Sequence, residues 1–495
     1  MNNNKYTVCE PGQPISAMKH IIIFTTFILA LCGAPTRSKA QTGAQTQTQP
    51  ASPTGSGDYI GTIAGPGLSL FFHITGDPHT GYKADWYSLQ QHAFGLKCRT
   101  VTISQDSLLM ETAGVRAFYK GKYSRAADSI AGLWEQGGKT YPLLLTRARR
   151  PQTPMAPFPY RTDSVEYDNA TGAVHLGATL TRPLTGDNFP VAILITGSGQ
   201  QDRDETLFGH RPFAIIADQL TRQGIAVLRV DDRGVGQSRG DLLNATSSDF
   251  ADDVLAGIRY LRTRKDIDTT RIGLIGHSEG GLIAPIVYNR WPHLKFIILL
   301  AGPGVPGSEI SLRQQTDPLL TIGRPAYTAY YPLIKEKMTI LNDTYGQPDS
   351  LTLRELKAAF IRWKTSLPDS MATLLRVKNI APEAYIYQET AELKPWIRYF
   401  YKTDPALFLQ KVKCPVLALN GAKDTQVDPN QNIPAIKAAL RSAGTPVETR
   451  IFPDLNHLFQ HCQTGDAGEY AIIEESMSPE VLQVMVDWTR KICTL

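Results

Sequence analysis

The segment Gly276-His277-Ser278-Glu279-Gly280 fits the pattern G-x-S-x-G, and its setting gives the fit chemical meaning. An apolar run, RIGLIG (271–276), leads in, and small and apolar residues, GGLIAPIVY (280–288), lead out. A strand, a sharp turn and a helix here would hold a serine hydroxyl up at the end of a sheet. Glycines flank it because a β-carbon would collide with the neighbouring elements. An alcohol is a weak nucleophile at neutral pH, so Ser278 needs a general base, and the base needs a carboxylate to fix its tautomer. Asp424 follows the apolar run PVLALNG (415–421), with Asp428 competing one short loop later. His457 follows VETRIFPD (447–454), with His461 four residues beyond. The order serine, acid, histidine suits strand-end loops of one sheet. We therefore expect Ser278, Asp424 and His457 to form a triad for acyl transfer.

A tetrahedral oxyanion requires two main-chain N–H donors. One is expected at Glu279, directly after the nucleophile. The other is expected in Thr196-Gly197-Ser198-Gly199-Gln200, with Ser198 favoured and Gly199 or Gln200 as alternatives. This loop lacks the Lys-Ser/Thr ending of a P-loop and is not a G-x-G-x-x-G dinucleotide turn. Gln200, His210 and Trp396 are candidates for the substrate pocket. Asp202, Arg203, Asp204 and His210 either contact substrate or form an internal salt-bridge network, and Asp231, Asp232 and Arg233 are expected to shape a turn.

These side chains need a sheet to converge on. From residue 160 onward, apolar strands such as VAILIT (191–196), IAVLRV (225–230) and KFIILLAG (295–302) alternate with helical patterns. That rhythm signifies a mostly parallel sheet flanked by helices. A hairpin over 164–182 is expected to open this unit. Asp249 is a candidate N-cap for DFADDVLAGIRYLRTR, which has acids in its first turn and arginines in its last. Over about 303–408 the rhythm stops and aromatic-rich helical segments take over, read as an inserted lid, and a final helix covers 479–492. Ahead of the sheet, 58–150 holds short alternating runs, LSLFFHI, TVTIS, SLLMETA and YPLLLTR, parted by turn signals such as Gly137-Gly138. This is a small all-β, barrel-like domain, followed by a Pro-rich linker at 151–159.

The 495 residues, 42% hydrophobic and 20% charged, suffice for two folded units. The net charge is +5, of which the first forty residues supply +3, and no basic stretch is dense enough to track phosphates. Nucleic acid is therefore not an expected partner. IIIFTTFILAL (21–31), preceded by Lys19 and His20 and followed by Ser38-Lys39-Ala40, reads as a signal peptide over 1–40. Met18 is an alternative start, and Cys32 raises a lipid anchor, disfavoured by the bulky Leu31. A tether at 41–57 follows, and no transmembrane segment is expected after cleavage. The mature chain is expected in the periplasm or outside the cell. Cys98, Cys414, Cys462 and Cys493 show no metal-ligand spacing and read as unpaired thiols, with a Cys462–Cys493 bridge as the alternative.

ITGSGQQDRDE (195–205), GHRPF (209–213), VLRVDDRGVGQS (227–238), IGLIGHSEGGLIAP (272–285), LALNGAKDTQV (417–427) and LNHLFQ (455–460) resemble the bacterial α/β-hydrolase esterases often described as serine aminopeptidase-like. The resemblance runs from about residue 160 to the C-terminus. It implies an α/β-hydrolase fold, Ser278, Asp424 and His457 as the triad, and carboxylesterase activity on small acyl esters. The N-terminal domain resembles the β-domain often joined to such hydrolases, through weaker motifs such as Gly132-Leu133-Trp134-Glu135. No cofactor or metal is called for. The expected substrate is a small-molecule or glycan-linked ester, for instance an acetylated or feruloylated glycan. Two rivals are an amide hydrolase or peptidase using the same triad, and a non-catalytic protein that binds a surface ligand.

Overall fold

The computed structural model describes residues 56–494 apart from 92, 105 and 125; the signal peptide, its cleavage site, Cys32, the alternative start at Met18 and most of the tether lie outside the described residues. Eight strands come first: β1 (Gly57–Ile63), β2 (Leu68–Asp77), β3 (Gly81–Ser88), β4 (Ala93–Ser104), β5 (Ser107–Thr112), β6 (Ala117–Ser124), β7 (Ser129–Gln136) and β8 (Lys139–Arg147). Each pairs antiparallel with the next, and β8 returns to β1 with Tyr59 opposite Arg147, which closes a barrel. Closure removes the exposed edges of an open sheet. Alternate residues point inward, and Tyr59, Phe72, Trp86, Tyr119 and Trp134 fill the interior. Gly137 and Gly138, at φ +60° and +73°, form the tight turn between β7 and β8 that their pairing predicts.

The second unit is a sheet of eight strands in the order β9-β10-β12-β11-β13-β14-β15-β16. β9 (Tyr160–Asp168) and β10 (His175–Pro183) form the antiparallel edge hairpin. The remaining strands are β11 (Phe189–Ile195), β12 (Ala226–Val230), β13 (Ile267–His277), β14 (Phe296–Leu300), β15 (Val416–Gly421) and β16 (Val447–Phe452). All six are parallel, and β11 and β14 are buried along their whole length. Strands buried on both faces read as unbroken apolar runs, which is why the sequence marks them so clearly. The helices α1 (Pro212–Arg222), α2 (Ser247–Leu261), α3 (Gly280–Arg290), α11 (Pro429–Ser442) and α12 (Pro479–Cys493) flank the sheet. This is the α/β-hydrolase arrangement. The chain runs outward from β11 to β12 and then crosses back to β13, so the loops leaving β11 and β13 part at a switch in strand order, where such sheets bind ligands.

Between β14 and β15 lies a helical insertion made of α4 (Gly307–Thr316), α5 (Arg324–Asp343), α6 (Asp349–Ser366), α7 (Asp369–Leu374), α8 (Pro382–Glu389), α9 (Pro395–Lys402) and α10 (Ala406–Leu409). Its interior holds a fully buried ion cluster, with Lys337 Nζ 2.9 Å from Glu389 and 3.0 Å from Glu392. Thr246, not Asp249, caps α2. Asp249 stands three residues inside and reaches back to the Thr246 N–H at 2.8 Å, so the helix begins earlier than its acidic turn suggests. Cys98, Cys414, Cys462 and Cys493 all carry free thiols, and the Cys462–Cys493 pairing does not form. Among the described residues no helix is long and apolar enough to cross a membrane.

Candidate active site

β13 ends at His277, and Ser278 follows with φ +50°, a left-handed conformation costly for a residue with a β-carbon. Its N–H bonds to the Leu300 carbonyl at 2.8 Å, which ties the turn to the end of β14. The flanking glycines are required sterically: a β-carbon on Gly276 would lie 2.1 Å from the Gly280 carbonyl oxygen, and one on Gly280 would lie 2.2 Å from that of Ile195. The turn thus holds a half-buried serine at the carboxyl end of the sheet.

The loops after β15 and β16 bring Asp424 and His457 together. His457 Nδ1 lies 2.7 Å from Asp424 Oδ2, and both residues are buried. Asp424 Oδ1 accepts the N–H groups of Gln426 and Val427, each at 2.8 Å, which fixes the carboxylate's orientation. The two competitors are occupied elsewhere. Asp428 caps α11 through the Asn430 N–H and pairs with Arg313 of α4, while His461 is exposed and faces Glu475 at 2.8 Å. The His457 ring stands beside the elbow, its centroid 4.8 Å from that of His277. Ser278 Oγ itself makes no hydrogen bond among the described residues; such contacts commonly tighten only with substrate in place.

The loop leaving β11 runs alongside the elbow, because β11 and β13 are neighbours. Its Gly197 N–H is committed to Glu205 Oε1 at 2.7 Å. The main-chain N–H groups of Ser198 and Glu279 have no acceptor among the described residues, as an oxyanion site requires. Asp232 braces the loop at both ends, accepting the Thr196 hydroxyl at 2.7 Å and the Gln201 N–H at 3.0 Å. Burial pushes the Asp232 carboxyl well above the usual carboxylate range, against the pull of those two donors. The Glu279 side chain is also buried, which raises its pKa. Ser247 at 2.6 Å and the indole N–H of Trp396 at 2.7 Å donate to it and oppose the rise, as does the Ser198 hydroxyl. Trp396 lies on α9, so the helical insertion is seated directly on the residue after Ser278.

Gln200 is half-buried on the β11 loop. His210, expected in the pocket, is instead 1% exposed and turned inward. Its nitrogens face Ser476 Oγ at 2.8 Å and the Tyr470 carbonyl at 2.9 Å, and burial, helped by Arg150, lowers its pKa to about 3. A buried imidazole held this way ties two loops together, with both ring nitrogens committed to protein partners. The other charges of this region form the internal network: Arg203 with Asp231, Arg229 with Asp204, and Arg233 with Asp253. A cavity of about 50 Å³ beside Thr196, Gly197 and Asp232 is lined by neither Ser278 nor His457. Among the described residues, no group of three or more His, Cys, Asp or Glu is placed to hold a metal ion.

The barrel reaches the site as well. Phe208, on the β11 loop, packs edge-on against Phe71 at 5.4 Å and Tyr87 at 5.2 Å. Leu458, next to His457, joins the same cluster with Leu89 and Tyr470. Arg150, just after the barrel, donates to the carbonyls of Phe208 at 2.8 Å and Ala471 at 2.9 Å. No local pattern signals these contacts or the parts played by Glu205 and His277, and Asp232, expected to shape its own turn, reaches across to brace the loop after β11.

Residues 171–457 match the X-Pro dipeptidyl-peptidase family (S15 family). The esterase EstD of Thermotoga maritima is 24% identical over 341 residues, spanning 68% of this chain and 70% of that one. Among solved structures, a thermophilic esterase from Thermogutta terrifontis covers 67% of this chain and 99% of its own at 20% identity, with a TM-score of 0.37. The α/β hydrolase GrgF from Penicillium sp. sh18 covers 68% and 100% at 15% identity, with a TM-score of 0.41.

Proposed function

Because the chain belongs to the X-Pro dipeptidyl-peptidase (S15) family, we propose that it is a serine hydrolase that cleaves carboxylic esters of short acyl chains through an acyl-enzyme. The observation that carries this reading is the placement of a strained serine turn and a buried His457–Asp424 pair at one end of a single sheet. Ser278 Oγ attacks the ester carbonyl while His457 Nε2 takes its proton, and Asp424 holds Nδ1–H and offsets the charge on the ring. The N–H groups of Ser198 and Glu279 receive the oxyanion. The intermediate collapses, the alcohol leaves with the proton from His457, and water repeats the sequence on the acyl group. The scheme requires no metal or cofactor. The helical insertion acts as a lid over the alcohol or acyl side, anchored by Trp396.

The ester preference is supported by the similarity to EstD, named an esterase. The family match favours a second reading, cleavage of an amide after proline, since one triad serves both bonds. Purified protein assayed in parallel on p-nitrophenyl butyrate and on an X-Pro p-nitroanilide separates the two. We expect the ester to be turned over far faster, with both activities lost in Ser278→Ala. Faster cleavage of the anilide would reverse the assignment. We further propose export, on the basic, apolar and small-x-small pattern of residues 18–40. A mature N-terminus at Gln41 is expected by sequencing, and an intact residue 1 or 18 would overturn it.

A further inference from the structure

One carboxylate bonds to two of the loops that the proposed chemistry uses and reaches a third through a histidine. Glu205 sits in a turn wound around Asp202, whose Oδ1 accepts the N–H groups of Asp204 at 3.0 Å and Thr206 at 2.9 Å. The turn sets Glu205 at φ +52° and drives its side chain, 5% exposed, into the interior. A non-glycine residue kept in that region has to be held by its surroundings. Glu205 Oε1 accepts the Gly197 N–H at 2.7 Å and faces His277 Nδ1 at 2.9 Å. The other ring nitrogen of His277, Nε2, lies 3.1 Å from the main-chain carbonyl of His457. Gly197 precedes the proposed oxyanion donor Ser198, His277 precedes the nucleophile, and His457 is the base.

Both nitrogens of His277 therefore face acceptors, a carboxylate and a carbonyl. Both contacts are made only when the ring carries two protons and is a cation. Its surroundings supply one direct counter-charge. Glu205 is in contact, Asp424 lies beyond the His457 ring, and the walls shared by Glu205 and His277 include Phe213, Ile216, Leu300, Phe459 and Met477. Burial by itself would lower the pKa of His277, but Glu205, helped by the His457 carbonyl and Asp424, carries it above the ordinary histidine value. We propose that Glu205 and His277 form a buried ion pair that positions oxyanion loop, nucleophile and base relative to one another. The pair makes no contact with the reacting atoms, so these are positioning residues, and their role rests on the triad reading above. When His277 loses a proton at higher pH, one of its two contacts is lost, and the His457 loop or the Gly197 loop is freed.

The test uses the full chain with Glu205→Gln, His277→Gln and the double substitution. Each single change is expected to lower kcat about tenfold to a hundredfold, as small misplacements of catalytic groups do, with KM little changed. The double variant should lose no more than the worse single, because the two act as one unit. Wild-type kcat should fall on the alkaline side as His277 deprotonates, and that limb should be absent in His277→Gln. Thermal unfolding checks that each variant is folded. If His277→Gln is not, Glu205→Gln, whose amide oxygen still accepts from Gly197, and the wild-type pH profile carry the decision. Wild-type kcat in both single variants, losses that multiply, or an unchanged alkaline limb in His277→Gln would overturn the proposal. Ser278→Ala keeps the two readings apart. Turnover surviving in that variant defeats the triad, whereas a dead Ser278→Ala beside fully active Glu205→Gln and His277→Gln defeats only the brace.

Discussion

Asp424→Asn replaces one oxygen by an amide nitrogen, and the contacts around it dictate the outcome. In the native protein Oδ1 accepts two main-chain N–H groups, from Gln426 and Val427, while Oδ2 faces His457 Nδ1. The asparagine carbonyl has to stay with the two main-chain donors, because an amide NH2 there would meet only other N–H groups. Its NH2 then points at Nδ1 and donates, so Nδ1 becomes the bare nitrogen and the proton moves to Nε2. In that tautomer His457 cannot take the proton of Ser278. The expected loss is about 10⁴ in kcat, the scale known for a triad in the wrong tautomer. It corresponds to about 5.4 kcal/mol of transition-state stabilisation at about 1.36 kcal/mol per factor of ten. Stability should change by no more than about 1 kcal/mol, since each hydrogen bond survives with one donor and acceptor exchanged. The assay is steady-state hydrolysis of p-nitrophenyl butyrate at neutral pH, paired with thermal unfolding. Asp428→Asn serves as the control, and because Asp428 caps α11 it should leave kcat near the wild-type value. An Asp424→Asn protein keeping more than about a tenth of wild-type kcat would refute the tautomer argument, since only a loss near 10⁴ fits it. A comparable collapse in Asp428→Asn would do the same.

Three further perturbations follow from the contacts. Trp396→Phe keeps an aromatic side chain but removes the indole donor to buried Glu279, and a lost charge-assisted bond of about 1.5 kcal/mol predicts roughly a tenfold fall in kcat/KM; an unchanged value would mean that the insertion does not act through this contact. Phe208→Ala should cost about 3 to 5 kcal/mol in urea unfolding and slow turnover, because the ring joins the barrel to the loop after β11; a loss below about 1 kcal/mol would mean the barrel is not a brace. His210 is held neutral with a pKa of about 3, so between the unfolded value near 6.5 and 3 the unfolded chain binds a proton that the native protein refuses. Its share of stability is therefore lost as pH falls through that window, up to about 5 kcal/mol at about 1.36 kcal/mol per pH unit. His210→Asn should flatten the acid side of Tm against pH, and an identical slope would contradict this.

Where the chain is buried on both faces, local pattern and final structure coincide, so β11, β14 and β15 could be read as strands and the G-x-S-x-G turn placed between two of the elements. The barrel was only half legible. LSLFFHI and YPLLLTR announce strands, but AFYKGKYS (β6) and SIAGLWEQ (β7) carry glycines and lysines that blur alternation. Those glycines have a reason visible only in three dimensions: Gly121 and Gly132 pair across β6 and β7, and the Tyr119 ring occupies the space their β-carbons would need. Side-chain roles were least legible where partners are distant in sequence. His210 reads as a pocket histidine until Ser476, 266 residues away, is brought beside it. Glu205 looks like one acid among several in QDRDE until the turn on Asp202 aims it inward. The Glu279–Trp396 contact spans 117 residues and no local periodicity encodes it.

The central claim is that Ser278 is the reactive nucleophile, activated by His457 and Asp424. The most direct measurement is reaction of the full-length protein with a fluorophosphonate, followed by mass mapping of the labelled peptide. One phosphonate per chain on Ser278 is predicted, with labelling slowed by orders of magnitude in His457→Ala. Labelling at another residue, or none on a folded protein that still hydrolyses esters, would contradict the account.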